Sequence, residues 1–94
     1  MTENEISFEI RGAIFEVYNN LGPGLLESVY VKALEYELIA KGLKVKREVP
    51  LPVIYKNIKI DLGFRLDLLV EDMVIIEVKS VENVIEIHHK QILT

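Results

Sequence analysis

Residues 63–80 read GFRLDLLVEDMVIIEVKS, and this stretch places two acids and a lysine among hydrophobic neighbours. Its apolar runs, Phe64 to Val70 and Met73 to Val78, are parted only by Glu71 and Asp72. That pattern predicts a strand, a tight turn and a second strand. Asp67, Glu77 and Lys79 fall inside the strands, where charge is costly unless it is paired or binds an ion.

Alternation decides how those charges meet. Along the first strand Phe64, Leu66, Leu68 and Val70 point one way, while Gly63, Arg65, Asp67 and Leu69 point the other. Along the second, Val74, Ile76 and Val78 oppose Ile75, Glu77 and Lys79. A strict two-residue turn would pair Asp67 with Ile76 and put the two acids on opposite faces. If the turn takes in Met73, or a bulge lies nearby, Asp67 comes opposite Glu77 roughly 5 Å away, and Lys79 shares their face. The latter register is expected.

Upstream, Thr2 and Glu5 fit a capping box, and Ile6, Ile10, Ala13, Ile14, Val17, Tyr18 and Leu21 recur at helical spacing. They predict a first helix of about five turns, ended by Asn19, Asn20, Gly22, Pro23 and Gly24. A second helix is expected from near Leu25, with Val29, Tyr30, Ala33, Leu34 and Leu38 as its apolar face, stopping at Gly42 in a left-handed cap. Glu27 lies in its first turn and shares a face with Tyr30 and Leu34, so it should lean inward. From Lys44 the period changes to two. Pro50 and Pro52 lack amide donors and mark an edge strand or a break between two short strands. A turn follows at Tyr55 to Ile58, with Asn57 suited to the left-handed conformation. After Ser80 a third helix is expected, with Val84, Ile87, His88, Gln91 and Ile92 on one side.

The order is two helices, three or four mostly antiparallel strands and a helix, an α+β domain with its helices packed on the sheet. A final strand is missing from the layer, as in a chain cut short at its C-terminal end or completed by another subunit. The 94 residues suffice for one domain, 1–94, in which a homodimer is open. Half the residues are hydrophobic and 28% are charged, which fits an ordered globular chain. With no cysteine, disulfides and thiolate metal sites are excluded. The N-terminal MTENEISFEIRG lacks the layout of a signal peptide, and no apolar run approaches a membrane span, so a cytoplasmic protein with no membrane partner is expected. A net charge of −4 argues against broad electrostatic coating of nucleic acid. Lys41, Lys44, Lys46 and Arg47 form the one dense basic patch that could track a phosphate backbone.

Asp67, Glu77 and Lys79 together resemble the D-x-n-(E/D)-x-K signature of the PD-(D/E)XK nuclease superfamily. That superfamily has a restriction-endonuclease-like core of a helix, a three-stranded antiparallel meander, a helix and a final strand. More specific is GPGLLESVYVKAL, in which Gly24, Glu27 and Tyr30 match the pattern that names the GxxExxY proteins, a prokaryotic family similar to compact members of the superfamily. His88 and Gln91 match that family's HxxQ, placed at the start of the helix after the lysine.

The resemblance implies a metal-dependent nuclease that hydrolyses DNA phosphodiester bonds. It implies Asp67 and Glu77 as central ligands of Mg²⁺ or Mn²⁺, the backbone carbonyl of Val78 as a further ligand, and Glu27 as an extra acid from the second helix. Hard oxygen donors suit such ions. Lys79 would orient the attacking water or offset developing charge, and Gln91 would hold that water or a phosphate oxygen. Competing readings stand beside these. Asp67, Glu77, Lys79 and Arg65 could form a structural ion-pair network, Glu27 could be only a helix-terminal acid, and Tyr30 a core residue with a satisfied hydroxyl. Lys41 to Arg47 could be a solvated helix end. The alternative function is a catalytically silent nuclease-like fold that binds nucleic acid or protein.

Overall fold

Thr2 opens the first helix, α1 (Glu3–Leu21), through both arms of a capping box. The Thr2 hydroxyl accepts from the Glu5 amide at 3.2 Å, and the Glu5 carboxylate accepts from the Thr2 amide at 2.8 Å. Two otherwise orphaned helix donors are thereby satisfied. Gly22 ends the helix at φ 69°, its N–H donating to Tyr18 O at 2.9 Å. The second helix, α2 (Glu27–Ala40), has Leu26 as its N-cap and gives way to Gly42 at φ 86°. The expected left-handed stop is therefore present. The computed structural model of this protein describes residues 1–79 and the backbone of 85–89, together with the Ile87 side chain.

Among the described residues six strands follow: β1 (Val45–Pro50), β2 (Val53–Tyr55), β3 (Ile58–Ile60), β4 (Arg65–Val70), β5 (Val74–Val78) and β6 (Ile85–His89). Four of them form an antiparallel sheet in the order β1-β4-β5-β6, while β2 and β3 make a separate hairpin. Both consequences read from the prolines hold. β1 is an edge strand, and Leu51 and Pro52 separate it from β2. In the turn between β2 and β3 the left-handed residue is Lys56, at φ 53°, rather than Asn57. Lys56 Nζ lies 5.6 Å from the centre of the Tyr55 ring, a cation–π contact available to a lysine in that position.

The β4–β5 hairpin adopts the expected register. Leu68 pairs with Ile76, Leu69 with Ile75 and Val70 with Val74, so the turn comprises Glu71, Asp72 and Met73. Glu71 and Asp72 both have positive φ, 54° and 55°. The Met73 amide closes the turn on Val70 O at 3.0 Å. Glu71 also anchors the start of β1: its amide donates to Lys44 O at 2.8 Å and its carboxylate accepts from the Lys44 amide at 2.6 Å.

One face of the sheet carries the main core. Leu68, Val70, Val74 and Ile76 pack against Ile6, Ile10, Ala13 and Val17 of α1 and against Tyr30, Leu34 and Leu38 of α2. Val29, expected on the apolar face of α2, remains exposed. A smaller cluster of Leu66, Leu69 and Ile75, with Val49 and Leu51, forms apart from it.

The expected third helix is corrected by β6, which occupies Ile85–His89 and pairs antiparallel with β5. Ile87 and His88 therefore lie in a strand, opposite Ile76 and Ile75. The segment IEIHH carries a period-two pattern as well as a helical one, and the edge of β5 offers it a row of backbone partners. Those bonds decide the outcome, which a lone sequence window cannot register. Val84, Gln91 and Ile92 lie outside the described residues.

A candidate acidic cleft beside the central hairpin

The first wall of the site begins with Tyr30. Its ring is fully buried and stacks on Tyr18 with centroids 5.3 Å apart. Its hydroxyl donates to Gly22 O at 2.6 Å and accepts from the Leu25 amide at 3.1 Å. One side chain thus pins both ends of the loop that enters α2, and Gly24, at φ 95°, supplies the turn between them. Glu27 follows directly as the first residue of α2, where the positive end of the helix dipole favours a carboxylate. Its side chain is exposed rather than turned into the core, and it lines a cleft of about 240 Å³.

The opposite wall comes from β1 and β4. Arg47, Glu48 and Asp67 line the same cleft, and Ser28, Val31 and Lys32 of α2 complete it. Asp67 is half-buried, and its Oδ2 accepts from the Val78 amide at 2.8 Å. Among the described residues that is its one hydrogen bond, which leaves Oδ1 for a ligand. This contact also explains where the β4–β5 pairing stops. Beyond Leu68 and Ile76 the Asp67 side chain, not its backbone, serves β5.

Glu48 is the cleft residue that sequence reasoning missed. It stands in β1 at φ 53°, a conformation that costs a residue with a Cβ about 1–2 kcal/mol. The β1–β4 register runs from Val45 opposite Val70 to Pro50 opposite Arg65, which sets Glu48 across from Asp67. Alternation breaks at this point. Leu66 and Leu68 are two residues apart yet pack into different clusters, and the adjacent Arg47 and Glu48 both reach the cleft. The only available sequence signal was an acid inside a strand next to an arginine, which is ordinary for an exposed edge.

Glu77 and Lys79 stand outside the lining of the cleft. They bind each other, Lys79 Nζ to Glu77 Oε2 at 3.1 Å, with both side chains partly exposed. The Val78 amide donates to Asp67, a contact separate from the carbonyl expected as a ligand. Gln91 lies outside the described residues. The structure thus brings Asp67 and Glu27 to one cleft and sets Glu77 with Lys79. Of the ion-pair network considered from the sequence, the Glu77–Lys79 pair is present, and Arg65 pairs with Asp61 at 3.4 Å.

The basic patch is largely engaged with acids. Lys41 meets Glu9 at 3.2 Å, Lys46 meets Asp72 at 3.1 Å, and Arg47 meets Glu35 at 3.1 Å. Exposed pairs of this kind are worth about 0–1 kcal/mol and yield readily to a competing anion. Arg47 and Lys32 remain the cations that border the cleft.

An α+β domain with two helices on one face of an antiparallel sheet, and acids from α2 and β4 in one cleft, is the architecture of a nuclease-like domain. The chain belongs to the PD-(D/E)XK nuclease superfamily, whose family model matches residues 4–94. Comparison with curated proteins and with solved structures gave no significant match. Among the described residues no helix is long and apolar enough to cross a membrane.

Nucleases of this superfamily generally use divalent metals. The donor chemistry here suits a hard cation, since Asp67, Glu27 and Glu48 present carboxylate oxygens to one cleft. Among the described residues no three His, Cys, Asp or Glu side chains are grouped closely enough to hold an ion.

Proposed function

We propose that this protein is a metal-dependent nuclease that hydrolyses DNA phosphodiester bonds. The observation that supports it most directly is the meeting of Glu27 and Asp67 across one cleft bordered by Arg47 and Lys32. Acids and cations at one opening suit a phosphodiester. The cations attract its backbone charge, and the carboxylates provide for an ion that neutralises the reacting group. The narrower likeness to the GxxExxY proteins rests on Gly24, Glu27 and Tyr30, whose shared task is to turn the loop, present the acid and fix both.

Asp67 and Glu27, which share the cleft, would hold Mg²⁺ or Mn²⁺, and Glu77 and the carbonyl of Val78 would join them from the neighbouring strand β5. When bound, the ion would supply an activated water and stabilise charge on the phosphate. Asp67 is the residue best prepared for this task. Its Oδ2 is fixed by the Val78 amide, so the carboxylate is oriented before any ligand arrives. Lys79 holds a compact charge two residues from Glu77, where it would balance that acid or a developing phosphate charge. Arg47 would trade its exposed pair with Glu35 for a backbone phosphate.

The test combines Mn²⁺ calorimetry with plasmid nicking in Mg²⁺ or Mn²⁺, using Asp67→Asn and Lys79→Ala. Asp67→Asn should lose both binding and nicking, while Lys79→Ala should bind Mn²⁺ and fail to nick. A wild-type protein that neither binds Mn²⁺ nor cuts sinks the proposal. Salt-sensitive DNA binding that ignores EDTA and survives Asp67→Ala would instead identify a silent nucleic-acid-binding module.

A further inference from the structure

The hairpin of β2 and β3 has an apolar face that no described residue covers. Val53 pairs with Ile60 and Tyr55 with Ile58, so these four side chains share one face, while Ile54 and Lys59 share the other. Every residue of both strands is exposed. Val53, Tyr55, Ile58 and Ile60 retain 53%, 57%, 60% and 36% of their accessible surface, and Leu62 and Phe64 just beyond the hairpin are exposed as well. A two-stranded hairpin is at best marginally stable alone and needs packing on a face to persist.

We propose that this face is the self-association surface of the protein, covered by the same face of a second copy about a two-fold axis. Size is the first argument. Together with Leu62 and Phe64, the four residues leave exposed the equivalent of about three whole large side chains. At roughly 150–250 Å² for an aromatic side chain and somewhat less for an aliphatic one, the arm offers on the order of 500–650 Å². A standard stable interface takes about 800 Å² from each partner, so a face of this size suits a weaker, micromolar dimer.

Chemistry and edge structure select the occupant and the mode. Its paired strand residues are all uncharged, since Lys59 lies opposite and Lys56 meets the face only at the Tyr55 ring in the turn, so it suits another apolar face better than a phosphate backbone. A two-fold contact is self-complementary, which lets one amphipathic hairpin serve as both halves. Pairing edge to edge is disfavoured: Pro52 precedes β2 without an amide donor, and Lys59 sits in the middle of β3. Face-to-face packing, with the two hairpins about 10 Å apart, avoids both obstacles.

Sedimentation velocity on the full chain should give a dimer in the micromolar range. Ile58→Glu should raise the dimer dissociation constant at least about 100-fold, a loss of roughly 2.7 kcal/mol. Phe15→Ser, at an exposed phenylalanine on α1, should leave the dimer intact. Because the chain has no cysteine, introduced thiols give an independent reading that survives any failure of Ile58→Glu to fold. Tyr55→Cys should form a covalent dimer under mild oxidant, and Ile54→Cys, on the other face, should not. A wild-type monomer, a dimer indifferent to Ile58→Glu, or faster crosslinking through Ile54→Cys would each overturn the proposal.

Discussion

Replacing Tyr30 with phenylalanine isolates one oxygen atom. The ring remains, so the fully buried volume and the stack on Tyr18 at 5.3 Å are retained. What disappears is a donation to Gly22 O at 2.6 Å and an acceptance from the Leu25 amide at 3.1 Å. A hydrogen bond contributes about 1 kcal/mol net, and a stranded partner costs about 1–3 kcal/mol when water cannot reach it. Here the partners lie in a partly exposed loop, so water recovers much of the second term. A net loss of about 1.5 kcal/mol follows. For a domain of this size that lowers the melting temperature by roughly 6–12 °C, measurable by circular dichroism or calorimetry. Amide exchange should quicken at Leu25, whose N–H loses its acceptor. If the loop loosens, Glu27 two residues later loses its fixed place, and Mn²⁺ affinity should fall with stability. A melting temperature within about 2 °C of wild type, with Leu25 exchange unchanged, would refute the claim that this hydroxyl holds the loop.

Two further outcomes follow from local geometry. Glu48→Gly relieves a left-handed conformation at the expense of strand entropy and should stabilise the fold by up to about 1 kcal/mol, read from urea unfolding. If the carboxylate serves the cleft, the same variant should weaken Mn²⁺ binding, so stability and function should move in opposite directions. In acid, the Thr2 amide and hydroxyl hold Glu5 below its ordinary value of 4.5, and Asp61 is held low by the Gly63 amide. A carboxyl group whose pKa is lowered by folding stabilises the native state above its unfolded value, and that contribution fades as pH falls through the folded one. Stability should therefore decline below about pH 4.5, and Glu5→Gln should flatten part of that decline in a pH series of thermal melts.

Both helices were legible because their information is local: a capping box at Thr2 and Glu5, apolar residues at helical spacing, and glycines at the ends. The register of the central hairpin was legible for another reason. Only a turn that includes Met73 lets Val70 meet Val74 and Leu68 meet Ile76, so that one face is apolar throughout. Tyr30 could be read as a core residue with a satisfied hydroxyl, although its two partners could not be named.

Tertiary structure decided the remainder. Residues 85–89 carry both periods, and the edge of β5 settled them as a strand. Glu48 looked like any acid on an exposed edge until its positive φ and the broken alternation at Asp67 turned both toward α2. The chemistry of GFRLDLLVEDMVIIEVKS is thus written in the sequence as residue types and register. Which acids share a cleft depends on where strands twist and stop pairing, a balance of backbone bonds across the whole sheet that no single segment contains.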